Sequence, residues 1–238
     1  MTIARTDETT APWRWRTWAP WRWRTLRLGA LAAAIACSTA AIAAEAQSQA
    51  AFLRENPSAD ARRLGAWAIE TRDHQDGPFI IVDKSAAKVF AFSPEGVLVG
   101  AAPALLGLSK GDISPDGIGT RKLATISPAE RITPAGRFVA AIGKNLSGRD
   151  VLWIDYDAAL SLHRVETGKP RERRLERLAT PGTSDNRISY GCINVPLAFY
   201  ETVVAPLFKG RAGIVYILPE EQPIDQLFFA NRAPELPL

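Results

Sequence analysis

The chain is 238 residues long, 47% hydrophobic and 23% charged, which is the balance of a globular protein of one main domain and excludes a fibrous or disordered one. Its formal net charge of +4 resides in the first 44 residues, where Arg5, Arg14, Arg16, Arg22, Arg24 and Arg27 face only Asp7 and Glu8. The other 23 basic and 23 acidic residues cancel, so the body of the chain gives no global electrostatic case for a nucleic-acid partner.

Residues 1–44 have the parts of an export signal. An arginine-rich stretch precedes an apolar run from about Leu26 to Ala43, which ends in the small-residue site Ala41-Ile42-Ala43. The block Trp-Arg-Trp-Arg-Thr occurs at Trp13–Thr17 and again at Trp21–Thr25, which makes the leader long and aromatic. Left uncleaved, it would be a short anchor, since the apolar run is marginal for a full membrane span. Cys37 lies within it; a lipid-attachment role is disfavoured because Ala34 stands where such sites prefer Leu, and removal with the signal is the preferred reading. The expected location is therefore outside the cytoplasm, in a periplasm or cell wall, with Cys192 as the lone remaining thiol.

Residues 45–77 read as a helical preface. Glu45 to Asn56 is alanine- and glutamine-rich, a frayed helix or linker, and Ser58 then caps a helix over Ala59–Thr71 with Ala61, Leu64, Trp67 and Ala68 near one face. His74 follows in a polar loop and reads as solvated. From Pro78 the pattern changes to short strands separated by turn residues: Phe79–Asp83, Lys88–Phe92 and Val97–Gly100. After a glycine- and serine-containing loop over Gly107–Gly119, strands are expected at Arg121–Ile126, Arg137–Ile142, Val151–Asp155, Ala159–Val165 and Gly213–Leu218. The sum is a mainly β domain with a few helices, a sandwich or open barrel, over residues 78–219, with a tail at 220–238.

Within that domain Ser189-Tyr190-Gly191-Cys192-Ile193-Asn194 is the stretch that carries chemistry. A free thiol is only a few per cent ionised at neutral pH, and a helix N-terminus or a neighbouring imidazole lowers its pKa. Asn194 as N-cap, Pro196 in the first turn and the apolar run from Leu197 to Leu207 predict a helix whose positive end faces the sulfur. Gly191 removes side-chain bulk beside the nucleophile and lets backbone N–H groups turn toward a developing oxyanion. His163, at the end of the apolar segment Ala159–Leu162, is either a general base facing Cys192 or a rim histidine bonded to a loop carbonyl. Two histidines and one thiol argue against a structural zinc site, and no cofactor is implied.

These residues resemble the L,D-transpeptidase family, exported cysteine enzymes of peptidoglycan cross-linking. Three segments carry the resemblance. Ser189 to Asn194 is similar to the family's Ser/Thr-His-Gly-Cys-apolar-Asn/Arg signature, Thr133-Pro134-Ala135-Gly136-Arg137-Phe138 to its Thr-Pro-x-Gly-x-Phe/Tyr element, and Ile81 to Gly96 to its first hairpin. The resemblance implies that Cys192 is the nucleophile, His163 the base and the carbonyl of Arg164 the third member. It further implies that the backbone N–H groups of Gly191 and Cys192 form the oxyanion hole, in a turn positioned by Ser189 and Tyr190. The substrate implied is a peptidoglycan stem peptide that loses its terminal D-alanine to an amine acceptor, with no stable protein partner.

Two departures accompany the resemblance. Tyr190 replaces the family's usual histidine, and Ser189 follows His163 by 26 residues, a longer gap than usual. The additional segment, Lys169 to Arg177, reads either as a lid whose arginines hold stem carboxylates or as a solvated helix with paired charges. Arg187 is the better candidate for binding a substrate carboxylate, beside Asn194. The alternatives are an L,D-carboxypeptidase, in which water is the acceptor, and a non-catalytic wall-binding protein.

Overall fold

The computed structural model describes residues 46–230. The expected export leader with Cys37, and residues 231–238 of the tail, lie outside the described residues. Among those described, no helix is long and apolar enough to cross a membrane.

A first helix, α1 (46–54), is followed by α2 (Ala59–Thr71), which starts where the cap predicts: the Ala61 N–H donates to Ser58 Oγ at 3.1 Å. The hairpin that follows, β1 (Phe79–Asp83) and β2 (Lys88–Phe92), has the predicted bounds, and β3 (Leu98–Pro103) completes the meander. Next come β4 (Leu106–Gly107), β5 (Gly136–Lys144), β6 (Asp150–Asp155), β7 (Leu160–Arg164) and β8 (Arg187–Ser189), then β9 (Ile193–Val195) and β10 (Gly213–Ile217). Eight strands form one sheet in the order β3-β2-β1-β10-β5-β6-β7-β9, and β4 pairs separately with β8.

The sheet nearly closes on itself. Beyond β3 the chain reaches Leu105, which exchanges both backbone hydrogen bonds with Asn194 of β9, at 2.8 and 2.9 Å. The two ends of the sheet thus meet at one bridge, giving an open, barrel-like shape. Strand alternation sorts the core into two clusters. Ile80 and Val82 of β1 join Val89, Leu152, Leu162, Ile193 and the later helix inside the barrel, whereas Phe79 and Ile81 face out against Leu64 and Ala68 of α2. Both faces of β1 are therefore covered, which is why Phe-Ile-Ile-Val reads as a continuous apolar run.

Three expectations are corrected. Arg121–Ile126 is not a strand: Ile118–Thr120, Leu123–Thr125 and Pro128–Glu130 form consecutive 3-10 turns. Local side-chain bonds decide this, because Thr125 Oγ1 donates to the Lys122 carbonyl, Ser127 and Glu130 cap each other, and Arg121 ties Thr125 to Glu130. Second, no helix begins at Asn194. Ile193–Val195 pairs in parallel with β7, the open edge of which accepts a β-branched run, and the helix starts only at Leu197 after Pro196. That helix, α3 (197–207), widens into a π turn at Tyr200–Val204 just ahead of Pro206, which lacks the N–H a regular turn requires. Third, His74 is buried rather than solvated: its Nδ1 lies 3.1 Å from the Gly77 carbonyl and its ring stacks on Phe79 at 5.0 Å.

Candidate active site

The site lies at the β7–β9 edge of the sheet. Register sets His163 beside Asn194 and Leu162 beside Ile193, so the turn entering β9 places Cys192 against the outer face of β7. Ser161, two residues before His163 and therefore on the same face, has its Oγ 3.6 Å from Cys192 Sγ, and the thiol donates to the Ala159 carbonyl at 3.5 Å. Ala159 occupies the left-handed region at φ 50°, in the turn that opens β7, and this unusual conformation aims its carbonyl at the sulfur.

His163 is oriented by its own neighbour. Nδ1–H donates to the Arg164 carbonyl at 2.7 Å, which fixes the tautomer and leaves Nε2 as the acceptor. The Arg164 side chain is itself held: its guanidinium pairs with Glu201 and, at 3.2 Å, with Asp150, and lies over the Tyr200 ring at 4.0 Å. Burial pushes the Cys192 thiol up, but hydrogen bonding and charge from His163, with help from Ser161, outweigh it and hold the thiol below its usual value. Burial likewise pushes the imidazole down, and Cys192, the Arg164 carbonyl and Glu166 outweigh that and raise it. The two shifts act in the same sense, each easing transfer of the thiol proton to the imidazole. The helix dipole expected at the sulfur plays no part, since a strand follows Cys192.

Asn194 is buried in β9 and serves this pair rather than a helix cap. Its Nδ2 lies 3.3 Å from His163 Nε2 and donates to the Cys192 carbonyl at 3.4 Å, while its Oδ1 accepts from Arg174. Arg174 lies in the charged segment read as a lid or a solvated helix. That segment forms a 3-10 turn at Pro170–Glu172 and a short helix, Arg174–Ala179. Most of its charges pair within the segment, as Arg173 does with Glu176, but Arg174 turns inward to both Glu172 and Asn194.

The turn before the thiol departs from expectation in one respect. Gly191 N–H donates to Ser189 Oγ at 3.0 Å, and Ser189 Oγ donates to the Cys192 carbonyl at 2.6 Å. The Gly191 N–H is therefore engaged and is not available for an oxyanion, and Ser189 shapes the turn. Tyr190 lies under the Arg131 guanidinium at 4.0 Å from the ring centroid. Tyr190, Gly191 and Cys192 line a pocket of about 100 Å³ with Ile118, Leu123 and Ile126 of the 3-10 turns.

Arg187 is not brought to this site, and its expected role on a substrate carboxylate is corrected. Its guanidinium makes a two-pronged pair with Glu220 and bonds the Lys84 and Ser109 carbonyls. A roomier pocket, about 530 Å³, opens beside it and Lys84, and another of about 300 Å³ lies between α1, α2 and the β2–β3 turn; neither contains the thiol. Sequence reasoning missed Ser161, the Ala159 carbonyl and the Arg131–Tyr190 stack. Strand alternation from His163 was enough to find Ser161; the other two depend on turn geometry and on a contact across 59 residues.

Fold and site together define a barrel-like, mainly β domain with a cysteine–histidine pair at one sheet edge. No family model and no curated protein matches the chain. Among solved structures it is similar to the catalytic domain of the E. faecium L,D-transpeptidase, at 18% identity and a TM-score of 0.33, over 60% of this chain and 98% of that one. It is also similar to the LD transpeptidase LdtMt1 in complex with imipenem, at 14% identity and a TM-score of 0.33, over 60% of this chain and 59% of that one.

Proposed function

We propose that the chain is an exported cysteine L,D-transpeptidase acting on peptidoglycan stem peptides. The observation that carries this reading is the placement of Cys192, from the Ser189–Asn194 motif, on the same face of the β7–β9 edge as His163, with the Arg164 carbonyl fixing the tautomer of the imidazole. Nε2 of His163 takes the thiol proton, and the thiolate attacks the carbonyl between the third stem residue and the terminal D-alanine. As the S–C bond forms, the carbonyl oxygen gains the charge and accepts from the Cys192 N–H. The C–N bond then breaks, the imidazolium returns its proton to the departing D-alanine amine, and a thioester remains. An amine from a second stem attacks that thioester, His163 takes its proton, and the thiol is regenerated as the new amide forms. Export rests on the leader at 1–44.

The test is intact-mass analysis of the purified protein after incubation with a tetrapeptide stem or a carbapenem. An adduct on the wild type that is absent in Cys192→Ala is expected; no adduct under any condition contradicts the reading. Muropeptide analysis then distinguishes the acceptor: new cross-links indicate an amine, and trimmed tripeptides alone indicate water and a carboxypeptidase.

A further inference from the structure

We infer that Thr133, which the sequence resemblance places in a motif but assigns no task, is a positioning residue that aims the Cys192 N–H at the reacting carbonyl. This deepens the reading above and rests on it for the acyl-transfer step. Thr133 is fully buried, and its hydroxyl is engaged on both sides: Oγ1 accepts from the Gly107 N–H at 2.8 Å and donates to the Gly191 carbonyl at 2.7 Å. The peptide joining Gly191 to Cys192 is planar and trans, so its C=O and N–H point in opposite directions. Holding the Gly191 oxygen therefore fixes the direction of the Cys192 N–H, the donor left once Gly191 N–H is engaged by Ser189.

The surroundings make this hold rigid. Gly191 sits at φ 135°, and a Cβ there would come within 2.7 Å of the Ile132 carbonyl oxygen. A Cβ on Gly107 would meet the Arg131 oxygen at 2.5 Å and the Thr133 nitrogen at 2.6 Å. Three backbone segments thus touch with no side chain between them; backbone bonds from Leu108 to Ser189 and from Ser109 to Arg131 join them at 3.0 Å, and the Thr133 hydroxyl is the side-chain bond that reaches the Gly191 carbonyl itself. From below, the Thr133 carbonyl accepts from Lys84 Nζ at 3.0 Å, and that buried ammonium also holds the Gly111 carbonyl at 2.6 Å and Asp112 at 2.7 Å. The oxyanion donor is in this way referenced to a buried ion cluster, whereas thiol ionisation depends on a different set, His163, Ser161 and the Arg164 carbonyl.

That separation gives the test. Two reactions of Cys192 are compared in the full chain: alkylation by iodoacetamide, which needs the thiolate and builds no oxyanion, and acylation by p-nitrophenyl acetate, which needs both. In Thr133→Val, which keeps the shape and removes the hydroxyl, acylation is expected to slow about 10- to 100-fold, as small misplacements of catalytic groups do. The alkylation rate and its pH profile are expected to stay within about twofold of wild type, because their determinants are untouched. Thr133→Ser is expected to restore acylation. Should Thr133→Val not fold, as judged by circular dichroism, Thr133→Ala carries the same comparison.

Acylation at the wild-type rate in the hydroxyl-free variant overturns the inference, as does an equal loss of both reactions in a folded variant, which would mark a merely structural role. A wild type that alkylates but is not acylated by the ester also overturns it. Because the ester carries no stem peptide, wild-type acylation by it alongside inertness to tetrapeptides sinks the substrate assignment and leaves the role of Thr133 standing.

Discussion

Two clusters of ionisable groups are built into the same sheet, and they differ in how completely their polar atoms are matched. Around Lys84, almost everything is satisfied: the ammonium holds two carbonyls and Asp112, and Asp112 accepts from Lys84 and from the N–H groups of Glu220, Glu221 and Gln222. Arg187 and Glu220 complete the cluster. At Cys192 the sulfur meets Ser161 Oγ at 3.6 Å and the Ala159 carbonyl at 3.5 Å, with no ion pair among the described residues to match it within a closed network, and its ionisation leans on one imidazole. The comparison separates a buried charge network that organises backbone from one that is poised to react. It also explains why Arg187, the residue near the motif with the most inviting charge, is drawn away from Cys192: its guanidinium is already paired with Glu220.

The largest effect that would sharpen this contrast is at the base. His163→Ala is expected to slow acylation of Cys192 by about 10²- to 10⁴-fold, the range of a positioned acid–base group. Stopped-flow or intact-mass time courses measure it, and an unchanged rate removes His163 from the role.

The reverse pattern is expected at the matched cluster. Lys84→Met leaves the Asp112 carboxylate buried without its cation, and breaking a buried pair in this way costs about 3–5 kcal/mol. Urea unfolding at neutral pH measures the loss. The sign with pH follows from Asp112: burial pushes its carboxyl up, and Lys84 with three backbone N–H groups more than offsets this and holds it below the usual range. Its contribution to stability is complete above the unfolded-state pKa and is lost as pH falls through the lower folded-state value. In Lys84→Met the carboxyl is no longer held as far below its unfolded-state value, so the acid-side loss shrinks, and an unfolding curve that keeps the wild-type pH dependence contradicts the assignment.

The smallest effect belongs to a region outside both clusters. Ser58→Ala removes the cap of α2, at a cost of about 1 kcal/mol. It is expected to lower the urea midpoint modestly with no change in the rate of Cys192 acylation; a slowed reaction would show that the preface and the site are coupled.

What could be read from the sequence divides along the range of the interactions. The α2 helix and the β1–β2 hairpin were legible to the residue, because caps, periodicity and turn residues act within a few positions. Cys192 and His163 stood out because thiols and imidazoles are scarce in the chain, and the fold does bring them together. The segment after the thiol was misread because its partner strand lies about thirty residues upstream: Ile-Asn-Val looks like a helix entrance until β7 offers it an edge. His74 was misread because Phe79, which covers it, does so through the tertiary fold. Arg187 and Glu220 are 33 residues apart, and nothing local signals that they pair. Thr133 was visible as part of a motif, but its task is set by Gly191, 58 residues away.

The central claim is that His163 keeps Cys192 ionised below the ordinary thiol range, and the pH dependence of iodoacetamide alkylation at Cys192 tests it most directly. For the wild type the midpoint is expected below the usual thiol pKa of about 8.5. In His163→Ala it is expected to move upward, because the upward push of burial then loses its main opponent. Coincident midpoints in the two proteins, or a wild-type midpoint at or above the ordinary thiol value, would contradict the account.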